Sequence, residues 1–257
     1  MTPPFSAHIG YLFTELTFSE RFAAAARHGF VAVENPEPYR YAARDMKRWL
    51  DDAGLAYVQF GAIGDSGRGD KGLAALPERV DECRQLVSRL LDYGAEIGCS
   101  MLHVLAGLRP AGSAFKPMWD CYLENVAFAA DLAAARGMTI IIEPMSADGA
   151  PGYFLDDPDM AAEAIRLVGR HNVRMMVDVF HTANAGIDPA ALLRRYGQII
   201  GHVHLADHPG RHEPGSGTVD FAAIRQALDE IGYEGYLGCE YVPAVSTEAG
   251  LGWRVRF

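Results

Sequence analysis

Apolar residues fall along this chain in short unbroken runs, separated by stretches in which they recur every three or four positions. The clearest run is Ile140-Ile141-Ile142, ended by Glu143 and Pro144. Successive residues of a strand point to opposite faces, so three branched apolar residues in a row predict a strand buried on both sides. Burying a carboxylate at its end is costly unless the charge is used or paired. Three later runs repeat the design: Met175-Met176-Val177-Asp178, Ile199-Ile200-Gly201-His202-Val203-His204 and Tyr236-Leu237-Gly238-Cys239-Glu240. Their ionisable ends are spaced 35, 26 and 36 residues apart, about one strand-plus-helix unit each.

The same alternation runs from end to end. Phe5–Ile9 is predicted as strand one, Val31–Glu34 as strand two and Leu55–Phe60 as strand three. Met101–Leu105 is strand four, and the runs ending at Glu143, Asp178, His204 and Glu240 are strands five to eight. Between them, helical spacing is predicted at 18–28, 41–53, from Glu78 onward, 119–136, 158–170, 189–196 and 221–231. Val80, Cys83, Val87, Leu90 and Leu91 make one apolar stripe. Asp156 or Asp157 before Pro158, and Asp188 before Pro189, read as helix caps. The Gly- and Asp-rich stretch 61–76 has no period and is either a lid or a plain insertion. Trp253 and Phe257 in the tail are predicted to dock on the barrel or on a partner subunit, which leaves room for a homo-oligomer.

Eight strands alternating with helices over 257 residues predict a single α/β domain spanning 1–257, a closed (β/α)8 TIM barrel. A formal charge of −10 disfavours a nucleic-acid partner. No apolar run is long enough to span a membrane, and no secretory pattern opens the chain. Cys83, Cys99, Cys121 and Cys239 lack CxxC spacing and read as reduced thiols of a cytoplasmic protein.

In such a barrel the chemistry sits at the carboxyl ends of the strands. Glu143, Asp178, His204 and Glu240 all fall there and are predicted to hold one divalent ion. Oxygen and imidazole donors suit Mg²⁺ or Mn²⁺, with Co²⁺ or Zn²⁺ as alternatives. The bland reading makes each acid a cap or a surface residue. Substrate-binding candidates are His181, Arg211, Glu34 and His202; each also has a plain reading as a packed, capping or solvated side chain. His8 and His103 rank lower.

The motifs Ile142-Glu143-Pro144, Asp178-Val179-Phe180-His181, Gly201-His202-Val203-His204-Leu205-Ala206-Asp207, Glu213-Pro214-Gly215-Ser216-Gly217 and Gly238-Cys239-Glu240-Tyr241 resemble those of the xylose-isomerase-like barrels. The two chain ends, Phe5-Ser6-Ala7 through Glu15 and Ser246 through Leu251, are similar to the hydroxypyruvate isomerase and 2-oxo-tetronate isomerase family. The resemblance implies that Glu143 and Glu240 exchange the proton and that the four strand-end residues hold the metal. The chain departs from the family in four places, one being that Glu34 is followed by Asn35-Pro36-Glu37 rather than by an aromatic-rich run. His204 stands where glutamine is usual, Val242 where lysine is usual, and Gln59-Phe60 where a histidine is usual. The expected activity is aldose–ketose type isomerisation of a small hydroxy-carbonyl compound by enediolate proton transfer. The alternatives are a ketose 3-epimerase on the same site, a zinc-dependent DNA-repair endonuclease, and a non-catalytic sugar-binding barrel.

Overall fold

The computed structural model describes residues 3–255 and 257. The strands are β1 (Phe5–His8), β2 (Ala32–Glu34), β3 (Ala56–Tyr57), β4 (Gln59–Gly61), β5 (Met101–His103), β6 (Thr139–Ile142), β7 (Val173–Asp178), β8 (Ile200–Leu205) and β9 (Leu237–Cys239). The helices are α1 (Phe18–Arg27), α2 (Ala43–Ala53), α3 (Val80–Ile97), α4 (Phe115–Ala134), α5 (Pro158–Val168), α6 (Val179–Asn184), α7 (Pro189–Tyr196), α8 (Phe221–Glu230) and α9 (Thr247–Gly250). The strands pair in parallel, in the order β3-β2-β1-β9-β8-β7-β6-β5-β4. The order begins and ends on consecutive pieces of one segment, β3 and β4, separated only by Val58. A parallel α/β sheet that returns to its starting segment is the nearly closed barrel that the alternation predicts.

Strand three is the exception to the predicted count. Val58 N–H donates to Val33 O at 3.0 Å, and the pairing changes there: β3 pairs with β2, β4 with β5. One run of apolar sequence therefore serves two neighbours as two short strands.

The chain divides into two compact units. The first comprises Met1–Asn35, Arg48–Val58 and Met176–Phe257. Its strands β1, β2, β8 and β9 bury Ala7, Val33, Val203, Leu205 and Leu237 completely. The second comprises Pro36–Lys47 and Gln59–Met175. Here Ile140, Ile141 and Ile142 are all fully buried, as a strand covered on both faces requires.

Local sequence explains the helix ends. Asp157 accepts from Asp159 N–H (2.7 Å) and Met160 N–H (3.1 Å) ahead of α5, with Pro158 in the first position. Asp188 caps α7 in the same way through Ala190 N–H. Helix α4 starts at Phe115, four residues before the predicted start at Trp119. Pro117 is compatible with that start, because first-turn N–H groups have no partner within the helix. The tail docks on its own unit. Trp253 is buried with its ring 5.3 Å from that of Phe5, and its indole N–H donates to Tyr241 Oη at 3.3 Å.

Segment 61–76 is anchored at several points within the second unit. Leu73, Ala74, Ala75 and Leu76 belong to the buried core, and Asn125 Nδ2 donates to Ala74 O at 2.9 Å. Arg79 grips Asp70 through both guanidinium nitrogens, at 2.7 and 2.8 Å. Gly72 is the fixed point, with φ at 100° and an ideal Cβ only 2.2 Å from Leu105 O. Left-handed backbone and contact with a carbonyl both exclude a side chain. Gly72→Ala should lower stability by about 3 kcal/mol or more. Urea unfolding checks this; an unchanged midpoint would contradict it.

Candidate active site

The carboxyl ends of β1, β2, β7, β8 and β9 gather ionisable groups within the first unit. Strand β7 ends on Asp178, and the chain turns directly into α6, a short helix absent from the predicted pattern. Asp178 caps it: Oδ1 accepts from Phe180 N–H at 2.7 Å and from His181 N–H at 3.3 Å. Oδ2 faces the other way and meets Arg211 Nη2 at 2.9 Å. One carboxylate thus holds a helix with one oxygen and faces the site with the other. His181 is buried behind this turn; burial lowers its pKa, against the opposing pull of Asp178.

On β8, period-two alternation puts His202 and His204 on one face. Both rings meet Glu34, the last residue of β2. Glu34 Oε2 lies 2.9 Å from His202 Nε2 and 3.2 Å from His204 Nε2, and all three residues are buried. The other nitrogen of His204, Nδ1, is 3.1 Å from Glu240 Oε2. Glu240 follows β9 and is also approached by His8 Nε2 at 3.2 Å and by Arg211 Nη2.

Burial alone would neutralise these groups, but their mutual attraction opposes it. Burial raises the Glu240 carboxyl, yet Arg211, His204 and His8 together hold it well below the usual carboxylate range. Burial likewise raises Glu34, and His202 and His204 outweigh it and hold the acid low. For His204, burial favours the neutral ring, while Glu240 and Glu34 raise its pKa well above the ordinary 6.5. His8 is lowered, because burial there exceeds the pull of Glu240 and Glu34.

Arg211 is held on every side. Its backbone takes φ 55°, unusual for a residue with a Cβ. Its guanidinium lies 5.5 Å from the ring centre of Tyr11 and 5.1 Å from that of Phe180. Its loop is organised by Asp207, which is fully buried. The Asp207 carboxylate accepts four backbone N–H groups, from His208 (2.8 Å), Gly215 (2.8 Å), Gly217 (2.8 Å) and Val219 (3.1 Å).

Glu143 stands in the second unit, directly after β6, buried with Oε2 3.9 Å from His103 Nε2. Ile142 pairs with Met175, three residues before Asp178 on β7. Among the predicted residues, Asp178, His181, Glu34, His202, His204, Arg211 and Glu240 lie together in the first unit. His8, a lower-ranked candidate from the sequence, joins them, as do Tyr11, Phe180 and Asp207. Phe180 and Asp207 lie within the motifs quoted above, but the motifs gave neither a role of its own.

Two groups in the first unit have the donor chemistry of a metal site: Asp178-His204-Glu240 and Glu34-His202-His204, each with ligand atoms within 4.8 Å of one another. The first mixes two carboxylates with one imidazole, a set that fits a hard or borderline divalent ion.

The fold and this strand-end constellation define a class, and comparison with known proteins gives the same one. Residues 22–256 match the family model of the xylose isomerase-like TIM barrel. A crystal structure from Brucella melitensis, described as an AP endonuclease of family 2, superposes with a TM-score of 0.96, at 34% identity over 99% of both chains. Within that class, the 2-oxo-tetronate isomerase of Cupriavidus necator is 42% identical over 252 residues, covering 98% of this chain and 97% of that one. The hydroxypyruvate isomerase of Escherichia coli is 32% identical over 250 residues, covering 97% of each. The chain belongs to this 2-oxo-tetronate and hydroxypyruvate isomerase family and is an isomerase.

Replacing Asp207 by Asn turns amide hydrogens toward backbone donors. Asp207→Asn should therefore lower stability by about 1–3 kcal/mol. Denaturant unfolding checks this; a wild-type midpoint would remove Asp207 from this role.

Proposed function

We propose that the chain isomerises a small hydroxy-carbonyl acid of the 2-oxo-tetronate or hydroxypyruvate type, with residues 1–257 working as one barrel. The observation that carries this reading is the largely buried group Asp178-His204-Glu240, whose Glu240 is partly exposed, in a chain 42% identical to a 2-oxo-tetronate isomerase over nearly its full length. We assign Glu143, Asp178, His204 and Glu240 as the residues that hold a divalent ion, with Mg²⁺ or Mn²⁺ favoured over Co²⁺ or Zn²⁺ by the oxygen-rich set. Such an ion supplies positive charge beside the substrate carbonyl, which makes the neighbouring C–H more acidic.

The rest of the chemistry belongs to side chains. Glu143 and Glu240 exchange the proton: one removes it from carbon, the other returns one to the adjacent carbon. Arg211, His204 and His8 keep Glu240 ionised and so able to accept a proton. Arg211 is the cation suited to a substrate carboxylate, a role the family's lysine cannot fill where Val242 stands. Tyr11 and Phe180 keep its guanidinium in place. His181 and His202 complete the polar surroundings, His181 as a neutral ring able to donate to a substrate oxygen. Four free, buried cysteines accord with a cytoplasmic setting. Among the described residues no helix is long and apolar enough to cross a membrane. His204 in place of glutamine and Val242 in place of lysine favour the second reading, a ketose 3-epimerase on the same site.

Glu143→Gln and Glu240→Gln should each lower kcat by about 10²–10⁴-fold, with circular dichroism showing the fold retained. NMR of hydroxypyruvate, 2-oxo-tetronates and ketoses in D₂O reads rate and product together. Wild-type turnover in either variant would cancel the assigned roles; C3 inversion of a ketose without acid isomerisation would select the epimerase.

A further inference from the structure

Glu34, a substrate-binding candidate from the sequence, is fully buried, and its Oε2 is hydrogen-bonded to His202 and His204. Such a buried acid needs a purpose, and its geometry relative to His204 supplies one. The two nitrogens of His204 divide their tasks: Nε2 faces Glu34 at 3.2 Å, and Nδ1 faces Glu240 at 3.1 Å, within the Asp178-His204-Glu240 group. The space for this arrangement is built into β9. An ideal Cβ at Gly238 would stand 2.2 Å from Glu34 Oε1 and 2.5 Å from His204 Cδ2. No other residue at that position leaves Glu34 and His204 where they are.

We infer that Glu34 is a positioning residue: it accepts the Nε2 proton of His204 and so fixes the ring with Nδ1 directed at the ion. A carboxylate behind a ligating histidine sets which nitrogen binds, holds the ring's orientation and makes it a stronger donor. His202 shares the same Glu34 oxygen and limits its movement. The glutamine usual at position 204 is a neutral amide with no ring nitrogen to select, so this use of Glu34 is tied to the histidine found here.

The inference rests on the metal-site reading above, and a double-mutant cycle separates the two. Binding of Mn²⁺ is measured by the EPR signal of the free ion, and the visible spectrum of the Co²⁺-loaded protein reports the ligand set. Glu34→Gln should weaken Mn²⁺ binding by about 10–100-fold and shift the Co²⁺ bands. In a His204→Gln background the same change should cost under about 3-fold and leave the bands in place, because its route through the imidazole is gone. If Glu34→Gln does not fold, Glu34→Asp keeps the charge one methylene short and should give a smaller loss with the same dependence on His204. Equal losses in both backgrounds, or none in either, would overturn the positioning role alone. A wild-type protein that binds neither ion would end both readings.

Discussion

Buried opposite charge is the constraint on which the site depends. Asp178 and Glu34 are buried carboxylates and Glu240 is a partly buried one, in surroundings where each would be costly alone. They persist because Arg211 and His204 stand within ion-pair distance, each touching at least one acid, and because His8 offers Glu240 a ring nitrogen at 3.2 Å. Removing one partner would leave a charge with neither water nor a counter-ion, which is why such clusters are sensitive to single changes. The parallel sheet makes the cluster possible. It ends strand after strand on the same side, so residues far apart in sequence arrive together without any of them lying on a long flexible arm.

The surrounding structure keeps these groups in place. Asp178 is tied into the first turn of α6, and Asp207 gathers four N–H groups to shape the loop that carries Arg211. Gly238 clears the space in which Glu34 and the two histidines meet. A site with its side chains already fixed avoids reorganisation when charge develops during reaction. The conformational cost is local, and the clearest sign of it is the left-handed backbone of Arg211.

The fold was legible because the barrel repeats one simple rule. Apolar runs mark strands, three-four spacing marks helices, and an ionisable residue after the run marks the working end. That rule alone places Asp178, His204 and Glu240 at strand ends. It failed where one segment does two jobs, as at Val58, and where a helix is too short to show a period, as in α6. Arg211 could be named as a candidate, but its aromatic partners could not, since Tyr11 and Phe180 lie on other segments and no spacing ties either of them to it. Glu34 shows the limit most clearly. Its position at the end of β2 was evident, while its partners belong to β8, some 168 and 170 residues away in sequence.

The central claim is that these strand-end acids and His204 serve one cation. Metal titration of the purified, chelator-treated protein tests it directly, with stoichiometry read by equilibrium dialysis and elemental analysis. The account predicts one Mn²⁺ or Mg²⁺ per chain, lost when Asp178 is replaced by Asn. Three ions per chain, or none, would contradict it.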